Sequence, residues 1–132
     1  HVILSPGEGS LQMNIGEAAT VGAYELPMIT IISDNSVLGM VSQLQWFYQE
    51  ECYMATEPYR KTNYEMVGKG FGAETYRADT KEAFREAFAS ALKSKGPSWI
   101  ICHIDKKEKV LPMMPAGKGV EDIILTQEEG GL

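Results

Sequence analysis

The first 59 residues of this 132-residue chain contain no lysine and no arginine. Seven acidic residues lie in that stretch, namely Glu8, Glu17, Glu25, Asp34, Glu50, Glu51 and Glu57. The net charge of the whole chain is -6, and all 12 basic residues follow Tyr59. Because binding to a nucleic-acid backbone needs clustered cations, this distribution argues against a nucleic-acid partner.

The sequence also lacks a long apolar run and has only two cysteines. No apolar stretch approaches the roughly 18 residues of a membrane span, so we expect no membrane partner. Cys52 and Cys102 form no CxxC pair and match no zinc-binding spacing, which favours reduced thiols and a cytoplasmic location. The N-terminus starts at His1 and has no signal-peptide pattern, and we expect the chain to begin part-way through a longer protein.

Apolar periodicity predicts strands that alternate with helices. Residues 1–5 and 28–33 are typical of buried strands, and a helix of about three turns is expected between them, starting near Ser10. After these we predict a helix over 38–48, a loop over 50–62 and a helix over 63–72, which Gly68 and Gly70 weaken. A strand at 73–78, a helix with a capping box of Asp79 and Glu82, and a strand at 98–104 are predicted to follow. This order predicts an α/β fold with a mainly parallel sheet, in a domain at 1–125 followed by an acidic tail at 126–132.

Two polar turns follow the first two predicted strands, at the edge where parallel sheets bind ligands. They are Gly7 to Ser10 and Asp34 to Gly39. A strand, a glycine turn and a helix together point main-chain N–H groups and the positive end of the helix dipole at one spot, which favours an anion. Glu8 and Asp34 would repel a phosphate, since no basic residue is near them in sequence, unless a divalent cation such as Mg²⁺ accompanied it. The turns therefore predict a site for a metal diphosphate.

Two other interpretations of these turns stay open. The glycines could form tight turns only, and Asp-Asn-Ser is a common turn sequence. The segment GEGSLQ also begins like a dinucleotide-binding fingerprint, with Asp34 at the place of a ribose-binding acid. Gln12 stands where that fingerprint needs its third glycine, which weakens the hypothesis of a dinucleotide-dependent oxidoreductase without excluding it.

Four segments resemble the C-terminal diphosphate-binding domain of thiamine-diphosphate enzymes, most closely that of acetolactate synthases. The segments are GEGSLQMN, DNSVLGM, QLQWFY and VLPMMPAG, and the resemblance extends from about Val2 to Ile124. It implies a three-layer α/β/α fold from which the N-terminal part is missing. It also implies thiamine diphosphate and Mg²⁺ as cofactors.

The resemblance implies roles for individual residues. Glu8 corresponds to the metal-binding aspartate of the family's GDG motif and Asn35 to a metal-binding asparagine, while Val37 would offer its main-chain oxygen to the metal. The remaining cofactor contacts implied are Gly7, Gly9 and Ser10 along the diphosphate, and Met13, Leu38, Gly39 and Met40 along the rest of the cofactor. Core packing is the alternative for Met13 and Met40. His103 is expected in the core, and no catalytic residue is expected in this chain.

The function implied is that of the cofactor-binding part of an acetolactate-synthase-like enzyme, which decarboxylates pyruvate and transfers the two-carbon unit to a 2-keto acid. A pyrimidine-binding domain or subunit would supply the activating glutamate, in a homodimer or tetramer, and any FAD would bind mainly outside this chain. Glu8 in place of aspartate, Asp34 in place of asparagine and Leu44 in place of a frequent tryptophan depart from the family pattern. These departures leave open a degenerate domain that serves assembly only.

Overall fold

The computed structural model describes residues 2–127, which form two compact units. Of the described residues, the first unit contains 2–35 together with Arg60–Ile104, and the second contains Ser36–Tyr59 together with 105–127. His1 and most of the predicted acidic tail, residues 128–132, lie outside the described residues. The predicted domain boundary at residue 125 stays a prediction.

A four-stranded parallel sheet forms the centre of the first unit. Its strands are β1 (Val2–Leu4), β2 (Met28–Asp34), β3 (Glu74–Ala78) and β4 (Ser98–His103), in the order β1-β2-β4-β3. Since all of them are parallel, their carboxyl ends lie at one edge of the sheet. The predicted α/β fold with a mainly parallel sheet is confirmed.

Helices cover both faces of this sheet. The five α-helices within residues 2–127 are α1 (Glu8–Met13), α2 (Glu17–Ala23), α3 (Gly39–Tyr48), α4 (Tyr64–Gly70) and α5 (Lys81–Ala91), of which α3 belongs to the second unit. Leu11 of α1 and Tyr64 of α4 share a buried cluster with Trp99 of β4, whereas Ala87 and Ala91 of α5 share another with Ile100. Successive β4 residues thus point to opposite faces, and the first unit has the predicted three layers.

The prediction of one three-turn helix starting near Ser10 is wrong. The first helix already begins at Glu8 and ends at Met13, and α2 begins only at Glu17. Asn14 closes α1 with a φ of -133°, which is outside the helical region, and asparagine has a low helix propensity. The apolar periodicity hides this break because Ile15 and Ala18 pack against the same buried cluster as Leu11.

The prediction that the first strand is buried is also wrong. The side chains of β1 are exposed, with 66% for Val2, 52% for Ile3 and 43% for Leu4. β1 is an outermost strand of the described sheet and pairs with β2. An apolar run predicts a strand but does not say whether that strand is central or at the edge. For β2 the burial prediction is confirmed, since Ile29 and Ile32 are at most 1% exposed.

The start of α5 differs by one residue from the prediction. Thr80 is the N-cap, and its hydroxyl accepts a hydrogen bond of 3.1 Å from the main-chain N–H of Ala83. Asp79, predicted to cap this helix together with Glu82, instead accepts a 2.7 Å hydrogen bond from Nε of Arg77. Both Asp and Thr are good caps, so the sequence pattern alone does not choose between adjacent candidates.

The second unit is built around α3. The side chain of Gln43 is 2% exposed, donates to the carbonyl of Val110 at 3.0 Å and accepts from its N–H at 2.7 Å. This pair of hydrogen bonds ties the helix to the segment after β4, which also contains a bridge between Met113 and Ile124. Within residues 2–127, no helix combines the length and the hydropathy that a membrane crossing would require.

Candidate cofactor site

The glycine turn of the first unit is fixed to the end of β2. The N–H of Ser33 donates to the carbonyl of Pro6 at 2.9 Å, and Gly7 forms a parallel bridge with Ser33. The first helical hydrogen bond of α1 runs from the N–H of Leu11 to the carbonyl of Gly7 at 3.0 Å. Glu8 is therefore placed in the first turn of α1, at the carboxyl edge of the sheet.

The carboxylate of Glu8 is the centre of the candidate site. Glu8 is only 2% exposed, and its carboxylate accepts a hydrogen bond from the main-chain N–H of Asn35. Burial raises the pKa of Glu8 above its ordinary value, and the negative charge of Asp34 raises it further, although the N–H groups and Arg60 act in the opposite direction. The structure thus brings Glu8 and Asn35 together, as expected from turns on neighbouring strands.

Arg60 belongs to this site but was not predicted from the sequence. One of its terminal guanidinium nitrogens lies 3.3 Å from a carboxylate oxygen of Glu8, and the two side chains are 24% and 3% exposed. The premise that no basic residue is near these turns holds along the chain but fails in space. A signal was present, since Arg60 is the first basic residue after seven acidic ones.

Tyr64 and Gln12 close the site on the side of α4. The side-chain amide of Gln12 donates to the hydroxyl of Tyr64 at 2.7 Å and to that of Thr62 at 3.3 Å. Tyr64 is 5% exposed, and burial followed by the charge of Glu8 raises the pKa of its hydroxyl. Gln12, which stands where a dinucleotide site needs glycine, thus connects α1 to the segment that carries Arg60.

Acidic and histidine side chains alone do not form a metal cage here. Within residues 2–127 there is no group of three or more His, Cys, Asp or Glu residues that could hold a metal ion. A divalent cation at Glu8 would need other oxygen donors, such as an amide, a main-chain carbonyl, a phosphate or water. Cys52 and Cys102 are both free, and Cys52 is exposed.

Four of the predicted cofactor contacts belong to the second unit. Val37 is 4% exposed, Leu38 is the N-cap residue of α3, Gly39 is its first residue, and Met40 is 54% exposed. Met13, in the first unit, is 82% exposed. Core packing is therefore the wrong interpretation for both methionines. Contacts of these five residues with a cofactor, like those of Gly7, Gly9 and Ser10, stay predictions.

His103 is not a core residue, contrary to the sequence-based expectation. Its side chain is 41% exposed, with Nδ1 at 3.7 Å from a carboxylate oxygen of Asp34 and Nε2 at 4.0 Å from one of Asp79. His103 is the last residue of β4, at the carboxyl edge of the sheet, whereas Trp99 and Ile100 are buried. The predicted strand at 98–104 continues past the buried residues of β4, which end at Ile101.

Comparison with known proteins identifies the family. The family model described as "Thiamine pyrophosphate enzyme, C-terminal TPP binding domain" matches residues 1–102. The chain belongs to this family. Thiamine pyrophosphate is another name for thiamine diphosphate, so the resemblance drawn from GEGSLQMN and the other three segments is confirmed.

The related proteins are large subunits of acetolactate synthase. The chain is 35% identical over 124 residues to the isozyme 1 large subunit of Escherichia coli strain K12. The aligned segment covers 93% of this chain and 22% of that protein. Its identity to the large subunit of Parasynechococcus marenigrum is 32% over 119 residues, or 89% of this chain and 19% of that protein. This thiamine pyrophosphate-binding domain thus spans about a fifth of the length of the curated relatives it matches.

Solved structures support the fold assignment. A thiamine diphosphate-dependent 4-hydroxybenzoylformate decarboxylase from Rhodococcus jostii superimposes with a TM-score of 0.72 over 80% of this chain and 20% of that one, at 23% identity. A benzoylformate decarboxylase from Polynucleobacter necessarius gives a TM-score of 0.75 over 83% of this chain and 20% of that one, at 24% identity. At these identities the likeness concerns the fold.

Proposed function

We propose that this domain holds the diphosphate of thiamine diphosphate through a divalent cation, with the side chains of Glu8 and Asn35 and the main-chain oxygen of Val37 as protein ligands. The observation that carries the proposal is the buried carboxylate of Glu8 beside Asn35. A buried carboxylate is stable only with compensating positive charge or hydrogen bonds. Asp34 adds a second negative charge to the same place.

The residues present fit Mg²⁺ and a diphosphate. Carboxylate and amide oxygens are the hard donors that Mg²⁺ takes, and this ion usually keeps one or two protein ligands and completes its shell with phosphate oxygens and water. A methyl group added to Gly7 would come no closer than 3.9 Å to its nearest neighbour, the carbonyl oxygen of Ser33. Packing within the domain therefore does not require glycine at this position. Glycine here would instead let a ligand approach the main chain closely.

The wider function follows from the relatives and stays a proposal. When bound, thiamine diphosphate supplies the carbon chemistry, which in an acetolactate-synthase-like enzyme is decarboxylation of pyruvate and transfer of the two-carbon unit to a 2-keto acid. In this chain Glu8 and Asn35 would orient the cation, and Gly7, Gly9 and Ser10 would bind the diphosphate. No residue of this chain is assigned a proton transfer.

The complete enzyme would need further protein parts. A pyrimidine-binding domain or subunit would supply the activating glutamate, the assembly would be a homodimer or tetramer, and any FAD would bind mainly to another domain. Exposed apolar side chains support contact with such parts, since large exposed apolar surfaces mark interaction sites. Val2 and Ile3 of β1 and Met13 after the glycine turn are each more than half exposed.

Calorimetry on the chain tests the proposal. We expect heat of binding for thiamine diphosphate with Mg²⁺ and little without Mg²⁺. Because changes in the outer shell of a metal site already reduce affinity about 10- to 100-fold, E8Q should weaken Mg²⁺-dependent binding by at least about tenfold. Glu17→Gln, the same change at the exposed first residue of α2, is the matched control and should bind like the unmodified chain.

Other outcomes would favour the alternatives. Absence of heat from a chain shown to be folded would contradict the proposal and favour a domain that serves assembly only. A thermal shift with NAD that needs no metal would favour a dinucleotide-dependent oxidoreductase. Equal binding by the E8Q and E17Q variants would contradict the role of Glu8.

A further inference from the structure

Arg60 compensates the charge of Glu8 at the position where the proposed function needs a divalent cation. The contact joins one guanidinium nitrogen to one carboxylate oxygen at 3.3 Å, and no second contact between the two side chains accompanies it among the described ion pairs. This distance is at the long end for a charge-assisted hydrogen bond, and the bidentate geometry that makes arginine pairs strong is missing. The pair is therefore weak enough for another cation to replace Arg60 at Glu8.

The side chains of Glu8 and Arg60 differ in how freely they can move. Glu8 is buried in the first turn of α1, and the N–H of Asn35 holds its carboxylate. Arg60 follows an irregular segment, precedes α4 and is 24% exposed through its side chain. Because an arginine carries its charge on a long stem that reaches water easily, Arg60 is the partner that moves when the pair opens.

The charges around Glu8 indicate which cation could replace Arg60 as its partner. Asp34 and Glu8 are both acidic, and the charges of Glu8, Asp34 and Arg60 all act on the hydroxyl of Tyr64, so these groups share one local field. With Arg60 in place this set carries one positive and two negative charges. A divalent cation at Glu8 would compensate both carboxylates, and a guanidinium on the same carboxylate would then repel it.

We infer that Arg60 is an internal competitor of the divalent cation: it pairs with Glu8 in the metal-free chain and leaves that carboxylate when the cation binds. Arg60 thereby sets the metal affinity of the site, in addition to stabilising a buried carboxylate when no metal is present. The inference rests on the proposed function, because it assumes that the cation binds to Glu8. Arg60 thus acts as a positioning residue.

Binding of Mn²⁺ alone, followed by electron paramagnetic resonance of the free ion, tests this inference on the full chain. R60Q removes the competing charge and should bind Mn²⁺ about tenfold more tightly than the unmodified chain. R60K keeps the charge and should stay close to the unmodified chain. Arg77→Gln is the matched control, since Arg77 forms an exposed pair with Asp79 at 2.7 Å, and it should leave Mn²⁺ affinity unchanged.

A second readout uses the unmodified chain and does not depend on the folding of a variant. Addition of Mg²⁺ should shift the Nε resonance of Arg60 in a nitrogen NMR spectrum, since the guanidinium leaves Glu8. The Nε resonance of Arg77 should stay in place. An unchanged Arg60 resonance at saturating Mg²⁺ would overturn the inference, as would equal Mn²⁺ affinity of R60Q and the unmodified chain.

Failure of the inference and failure of the proposed function give different results. If E8Q weakens Mn²⁺ binding while R60Q leaves it unchanged, the cation binds to Glu8 and the role of Arg60 is wrong. If E8Q has no effect on Mn²⁺ binding, the proposed site itself is wrong and the role of Arg60 is lost with it. A gain in R60K as large as that in R60Q would also overturn the inference, because repulsion between charges would then not be the cause.

Discussion

Gly68 allows close packing in the structure, although its helix propensity alone suggests only that it weakens a helix. In sequence, Gly68 and Gly70 both weaken the predicted helix over 63–72, yet α4 forms there, with Asn63 as its N-cap. A Cβ atom at Gly68 would lie 2.8 Å from a methyl carbon of Thr75 and 2.9 Å from the ring of Trp99. Glycine at this position therefore allows α4 to pack closely on the sheet.

The two glycines of α4 should respond in opposite directions to replacement by alanine. G68A places a methyl group against Thr75 and Trp99, and overpacking of this kind should lower the free energy of unfolding by about 1–3 kcal/mol. A Cβ at Gly70 would have no neighbour within 4 Å, so G70A should raise that free energy by up to about 1 kcal/mol. Urea unfolding of both variants measures the difference. Equal effects of the same sign would contradict this packing.

The residues of the candidate site were predictable to different degrees. Glu8 and Asn35 were predictable as neighbours because each follows one of two strands that pair in parallel. The contact of Arg60 with Glu8 was not predictable, because Arg60 is 52 positions from Glu8 and belongs to a segment without periodicity. The sequence marks Arg60 only as the first basic residue after seven acidic ones. His103 was predicted as buried because the apolar pattern of its strand carries no information on where the covering helices end.

Among the elements, the structure confirms those with a strong pattern and corrects their ends. The continuous apolar runs of β2 and β4 predicted strands covered on both faces, and the spacing of apolar residues predicted α3 and α5. The break between α1 and α2 was missed because the apolar positions continue across it. Boundaries depend on single hydrogen bonds at helix ends, which several neighbouring residues could make.

The cap of α5 offers a test at the scale of an element. T80A removes the hydroxyl that accepts from the N–H of Ala83 and should lower the free energy of unfolding by about 1 kcal/mol. D79A removes an exposed partner of Arg77 and should change this free energy by less than about 0.5 kcal/mol. Chemical denaturation of the two variants measures both values. A larger loss in D79A than in T80A would restore Asp79 as the cap.

At the scale of the whole molecule, the chain matches only a small share of its relatives. It spans about a fifth of the length of the acetolactate synthase subunits to which it is similar, at 22% of the Escherichia coli isozyme 1 subunit. Family membership and fold are established by sequence and structural similarity, whereas activity stays a proposal. Because apolar side chains on β1 are exposed, the isolated chain is expected to associate in solution.

The central claim is that a divalent cation at Glu8 and Asn35 lets a diphosphate rest at an acidic edge of the sheet. The most direct measurement is a crystal structure of the chain with thiamine diphosphate and Mg²⁺. We predict that the cation contacts the Glu8 carboxylate, the Asn35 side chain and diphosphate oxygens, and that Arg60 has left Glu8. A diphosphate bound elsewhere, with Arg60 still paired to Glu8, would contradict the account.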